Sequence, residues 1–167
     1  MKNMALEIRM FGDPVLKTPA APVESFDASL AHLAKEMLLT MREHEGVGLA
    51  ANQVGRLKRI LVAAVEDEEF VIINPVVDEA TETIGKDLEG CLSIPGIQVE
   101  VERPTVVMIS GQDPSGVPLR IEASGLVARI FQHEIDHLDG VLILDRTDRE
   151  FRKAAMREMR ERLLTQS

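Results

Sequence analysis

Apolar residues recur at helical spacing in three stretches of the chain. Leu30, Leu33, Ala34, Met37, Leu38 and Met41 form one stripe. They predict a helix capped by Asp27 or Ser25 and stopped near Gly46. His32 falls off that stripe and is expected to be exposed. Leu126, Ile130, His133 and His137 share a face of a second helix, opening near Ser124 and ending near Gly140. That places both histidines on its buried side. Phe151, Ala155, Met159 and Leu163 mark a third helix, from about Thr147 to Leu164, that packs them on the body.

Between the first two helices the period changes. Residues 59–65 and 69–77 are apolar and β-branched and flank the acidic turn Glu66-Asp67-Glu68. Asn74-Pro75 should kink the second of these strands or place it at an edge. Further short strands are expected over Glu82–Leu88, Gln98–Glu102 and Pro104–Ser110. A turn follows at 111–116, and Leu119–Ala123 then leads into the second helix. Residues 1–23, broken by Pro14, Pro19 and Pro22, read as an extended or looped lead-in. The order of elements is that of an α+β fold. Small antiparallel sheets pack around a central helix, with one helix N-terminal and one C-terminal to them. Residues 1–167 read as a single domain.

Composition narrows the function. A formal net charge of −9 argues against a general nucleic-acid binder. Trp and Tyr are absent, which nearly removes stacking platforms for bases. From Asp145 onward seven Lys/Arg stand against five Asp/Glu, so the last helix is locally basic by two charges. No apolar run approaches a membrane span, and the N-terminal residues lack a signal-peptide core, so a cytoplasmic protein is expected. A trimmed organelle precursor would look the same. One cysteine, Cys91, rules out an intrachain disulfide.

The second helix carries the chemistry. Gln132-His133-Glu134-Ile135-Asp136-His137 reads His-Glu-x-x-His. Residues i and i+4 stand one turn apart on one helix face, so two imidazoles can meet one divalent metal, with the glutamate in reach of its water. A catalytic site of this kind needs a third protein ligand. The position that a third histidine holds in one protease group is Ile143 here. Glu158 has a formal claim but lies in the charged C-terminal helix. Cys91, flanked by glycine and proline in Glu89-Gly90-Cys91-Leu92-Ser93-Ile94-Pro95-Gly96, offers the missing ligand. A soft thiolate with two imidazoles suits Zn²⁺, Fe²⁺, Co²⁺ or Ni²⁺.

Three segments together resemble the signature motifs of peptide deformylase, in that family's order and spacing. They are Gly46-Val47-Gly48-Leu49-Ala50-Ala51-Asn52-Gln53, Glu89-Gly90-Cys91-Leu92-Ser93 and the histidine motif. The resemblance implies removal of the N-formyl group from the initiator methionine of nascent polypeptides, with release of formate. It implies one divalent metal per chain, Fe²⁺ as the usual native ion, with Zn²⁺, Ni²⁺ and Co²⁺ able to replace it. It assigns Cys91, His133 and His137 to the metal, and Glu134 to acid/base catalysis. Gln53 and the Leu92 N–H fall to the oxyanion. Val47, Gly48 and Gly90 fall to the substrate backbone, and Glu89 with Arg103 to a supporting ion pair. Leu126 and Ile130 are expected to line an apolar pocket for the methionine side chain, with the stem of Arg129 at its rim. Ribosome contact through the C-terminal helix rests on analogy alone. Two other readings stand beside this one. A zinc-type endo- or aminopeptidase would need a carboxylate or histidine as third ligand. A non-catalytic, ribosome-associated metal protein would usually close its metal with four ligands.

Overall fold

A computed structural model describes residues 2–165. Helix α1 (Ala28–Glu43) is capped by Asp27, whose side chain accepts from the Leu30 N–H. Strand β1 (Gly48–Ala50) leads through a 3-10 turn, Ala51–Val54, toward β2 (Ile60–Val65) and β3 (Glu68–Ala80). Strands β4 (Ile84–Cys91) and β5 (Ile94–Pro104) form a hairpin. Strands β6 (Val106–Gln112) and β7 (Pro118–Ser124) follow, then helices α2 (Gly125–Leu138), α3 (Ile143–Arg146) and α4 (Arg149–Thr165).

The strands make two antiparallel sheets, one of five strands in the order β1-β2-β3-β6-β7 and the β4-β5 pair. Strand β2 shows why its sequence is apolar throughout rather than alternating. Ile60 and Val62 pack with Leu30, Met37 and Met41 of α1 on one face. Leu61 and Ala63 pack with Ala128 and Phe131 of α2 on the other. A strand buried on both faces reads as a continuous apolar run. Strand β5 packs its own cluster, Ile94, Ile97, Val99 and Val101, against Ile143, Leu144 and Ala155 of α3 and α4. The metal-motif helix α2 thus lies between the large sheet and the hairpin.

The α+β architecture matches the expectation; several details differ. Asn74 adopts φ 51° and the β3–β6 register shifts there, so the kink at Asn74-Pro75 is a bulge inside a strand that runs on to Ala80. Helix α1 stops at Glu43 instead of near Gly46, because Glu45 turns left-handed at φ 56°. The lead-in contains a 3-10 turn, Pro14–Lys17, that buries Leu16. The last helix begins at Arg149, after the separate turn of α3. Leu163 is 70% exposed, so it does not join Phe151, Ala155 and Met159 against the body. His32 is partly buried and pairs with Glu36. Leu126 is 57% exposed: it sits in the first turn of α2, on the wall of an open cavity. Among the described residues no helix is long and apolar enough to cross a membrane.

Candidate metal centre

Helix α2 presents His133 and His137 one turn apart, and the β4–β5 turn brings Cys91 to them. His137 Nε2 lies 3.1 Å from His133 Nε2 and 3.3 Å from Cys91 Sγ. Nitrogen and sulfur ligands of one tetrahedral ion stand roughly 3.3 Å (N to N) and 3.6 Å (N to S) apart, given bonds of about 2.0–2.1 and 2.3 Å. The donor set therefore fits a single divalent ion. Among the described residues Cys91, His133 and His137 form the cluster of metal-ligating side chains; Glu158 is instead held by Arg162 and Ile143 is core.

The surroundings orient the ligands. Glu89 Oε1 accepts from His133 Nδ1 at 2.9 Å, which leaves Nε2 turned toward the cluster. Glu89 is itself held by Arg103 at 2.6 and 2.9 Å and by Arg129 at 2.7 Å. Burial alone would raise its carboxyl, but hydrogen bonds from Arg103 and His133 outweigh burial and hold it at about 2. Burial would likewise lower His133; its bonds to Cys91 and Glu89, with the Glu134 charge nearby, hold it up at about 10. Burial, reinforced by the charges on His133 and Arg103, pushes His137 well below the usual histidine value. Glu134 is 3% exposed, and burial pushes its carboxyl up to about 7.

Glu134 Oε1 sits 3.7 Å from His133 Nε2, and its Oε2 is buried without a hydrogen bond. Gln53 Oε1 accepts from the Ala50 N–H at 3.0 Å, which turns its Nε2 toward the site. That nitrogen lies 3.5 Å from Cys91 Sγ and 3.2 Å from Ser93 Oγ. Leu92 occupies the turn beside Cys91. Val47, Gly48, Gly90, Leu126, Ile130, Gln53, Leu92 and Glu134 all line one open cavity of about 630 Å³. Gly48 is needed there: a Cβ would lie 2.9 Å from Ile130 Cγ2 and 3.0 Å from Glu134 Oε1.

Three features were not legible beforehand. Asp136 lies inside the histidine motif yet faces away from the metal, accepting from Arg103 Nη1 at 2.8 Å and from Arg146 at 2.9 and 3.1 Å. Arg129 does line the cavity, but its guanidinium turns inward to Glu89, the Val101 carbonyl and the Gly85 carbonyl, so it ties α2 to the hairpin. Ser93 meets Gln53. Of the three only Arg129 carries a sequence signal, a charged residue in an apolar stripe.

Residues 5–153 match the family described as polypeptide deformylase. The chain belongs to the peptide deformylase family. A peptide deformylase of Corynebacterium glutamicum is 50% identical over 154 residues, which are 90% of this chain and 91% of the relative. The crystal structure of the Thermus thermophilus peptide deformylase superposes with a TM-score of 0.89 at 43% identity and covers 96% of each chain. That of Thermotoga maritima gives 0.85 at 44%, covering 86% of this chain and 98% of the other. Peptide deformylases are hydrolases that remove the N-formyl group from nascent peptides. A peptidase with a histidine or carboxylate as third ligand has no counterpart in this cluster.

Proposed function

We propose that the Cys91, His133 and His137 cluster holds one divalent ion, Fe²⁺ in the cell, and that the cavity beside it hydrolyses N-formylmethionyl peptides. The observation that carries the reading is convergence. The three ligand atoms lie within 4.8 Å of one another, Glu134 Oε1 is 3.7 Å from His133 Nε2, Gln53 Nε2 is 3.5 Å from Cys91 Sγ, and Cys91, His133, Glu134 and Gln53 line one cavity. The ion supplies Lewis acidity, which brings the pKa of water toward about 7.

Glu134 takes the proton of the attacking water and later delivers it to the amine nitrogen as the C–N bond of the formamide breaks. Burial raises this carboxyl above its ordinary value, the direction that favours its holding a proton between the two transfers. Gln53 Nε2 and the Leu92 N–H donate to the oxygen that becomes negative when the formyl carbon turns tetrahedral. Val47, Gly48 and Gly90 border the peptide backbone, which extends the large sheet at the free edge of β1. Ile130 and Leu126 flank the methionine side chain, Leu126 at the solvent side. The exposed face of α4 with Arg149, Lys153, Arg157 and Arg160 is the surface assigned to ribosome contact, in a cytoplasmic setting.

The test is formate release from a short N-formylmethionyl peptide by protein purified without oxygen and loaded with Fe²⁺ or Ni²⁺. The N-acetyl peptide and Glu134→Ala serve as controls. Release by the wild type alone supports the assignment. Turnover by a metal-replete Glu134→Ala removes that residue from its role, and no release at full metal occupancy sinks the reading.

A further inference from the structure

The two groups assigned to the oxyanion come from different sheets. Gln53 lies in the 3-10 turn after β1, on the five-stranded sheet, and Leu92 lies in the turn of the β4–β5 hairpin. No strand pairing joins these sheets among the described residues, so nothing in their ladders sets the distance between the two donors. A short piece of the lead-in crosses the seam. The Arg9 N–H donates to the Gln53 carbonyl at 2.7 Å, and the Phe11 N–H donates to the Ser93 carbonyl at 2.9 Å. Residues 9 and 11 thus grip one turn each, at the oxyanion donor itself and at the residue next to the other.

The crossing piece is tied down on both sides. Upstream, the Leu6 N–H donates to Thr40 Oγ1 of α1 at 2.8 Å, and Ile8 is 5% exposed. Downstream, Asn52 Nδ2, adjacent to Gln53, donates to the Thr18 carbonyl at 2.8 Å, and Leu16 is 1% exposed. From the inside, Gln53 Nε2 reaches Ser93 Oγ at 3.2 Å. The two turns are held together by main chain on one side and by side chains on the other.

We propose that Arg9-Met10-Phe11 is a positioning strap whose main-chain N–H groups set the spacing of the Gln53 amide and the Leu92 N–H across the reacting oxygen. The proposal rests on the assignment of those two donors made above. Oxyanion donors act at about 2.7–3.1 Å from the developing charge, and a misplacement of about 1 Å can lower a rate 10²-fold. A strap that fixes two turns of different sheets therefore acts on turnover more than on binding. Arg9 and Phe11 work through their backbone, so side-chain identity matters little and loss of the N–H matters most.

Proline removes the N–H. Arg9→Pro and Phe11→Pro are each expected to lower kcat about 10- to 100-fold, leaving KM within about threefold and metal content full. Arg9→Ala and Phe11→Ala, which keep the N–H, should recover most of the loss. Arg9→Pro acts through Gln53, so in a Gln53→Leu background it should add nothing, while Phe11→Pro still lowers the rate. Losses that multiply in both cases, or that fall on KM or metal content, overturn the strap. Hydrogen exchange in the unaltered protein reads the same bonds without a variant: the Arg9 and Phe11 amides must be protected, and free exchange at either one overturns the proposal. Wild-type formate release is recorded first. Its absence counts against the donor assignment, while exchange still reports on the strap.

Discussion

Arg103 is the residue on which the buried charges around the metal site depend. It is 5% exposed and gives two hydrogen bonds to Glu89 and one to Asp136. Arg103→Leu leaves two buried carboxylates short of a partner, which typically costs about 3–5 kcal/mol. Glu89 also orients His133, so metal affinity should fall about 10- to 100-fold. Denaturant melts and competition with a chromophoric chelator measure both, and an unchanged midpoint with unchanged affinity would refute the coupling. Gln53→Leu keeps the metal and removes one neutral donor; it should lower kcat about 10²- to 10³-fold. A loss confined to KM would make Gln53 a binding residue. The Cys91, His133 and His137 cluster, with Glu134 beside it, was legible because a fixed i, i+4 spacing and a solitary cysteine between glycine and leucine carry meaning along the chain. Asp136, Arg129 and Arg146 were not, because each finds its partner across a fold that spacing does not describe.

Helix ends decide how the elements hold that site. Gly140 closes α2 at φ 75°, three residues after His137, and a Cβ there would come within 2.6 Å of the Lys17 carbonyl. Gly140→Ala combines a left-handed conformation, about 1–2 kcal/mol, with a backbone collision. A loss of at least about 2 kcal/mol is expected, roughly 4–8 °C in Tm; a calorimetric shift below 2 °C would show that the contact yields. Asp145 serves α3 in the same way, accepting from the Leu142 N–H at 2.9 Å and from Lys17 at 2.5 Å. Its partial burial would raise the carboxyl, but the bonds from Lys17 and Leu142 hold it below its ordinary value. Because the folded value is the lower one, this stability is full above about pH 4 and is lost as pH falls through the folded value. Asp145→Ala should therefore melt below wild type at pH 7, by about 1 kcal/mol, with the gap narrowing near pH 3. An equal gap at both pH values would exclude the ionic part. Helix α3 itself escaped the sequence reading because four residues are too few to show a period. Leu163 was misplaced, and Leu126 lines the cavity yet is exposed, because a period marks a face but not how far along the helix that face finds a partner.

At the scale of the whole molecule the site lies where the separately packed hairpin meets α2 and the large sheet, which share one core cluster. Cys91 belongs to the hairpin sheet, His133 and His137 to α2, and Glu134 abuts Gly48 of the large sheet. One ion bound by Cys91, His133 and His137 would therefore cross-link the hairpin cluster of β5, α3 and α4 to the cluster that α2 shares with the large sheet. Binding only to the folded chain stabilises it by about 4 kcal/mol at a free-ion concentration about 1,000 times Kd. In a chain of this size that is roughly 8–16 °C in Tm. Chelation should lower Tm by that order, and amide exchange should accelerate most in β4, β5 and α4, the parts that lose one of their ties to α2, the Arg103–Asp136 and Arg129–Glu89 bonds remaining. Cys91→Ala should melt near the same temperature with or without added Ni²⁺, since the hairpin then contributes no ligand. A Cys91→Ala protein that kept the full metal-dependent rise would place the third ligand elsewhere and separate the stability of this fold from its metal.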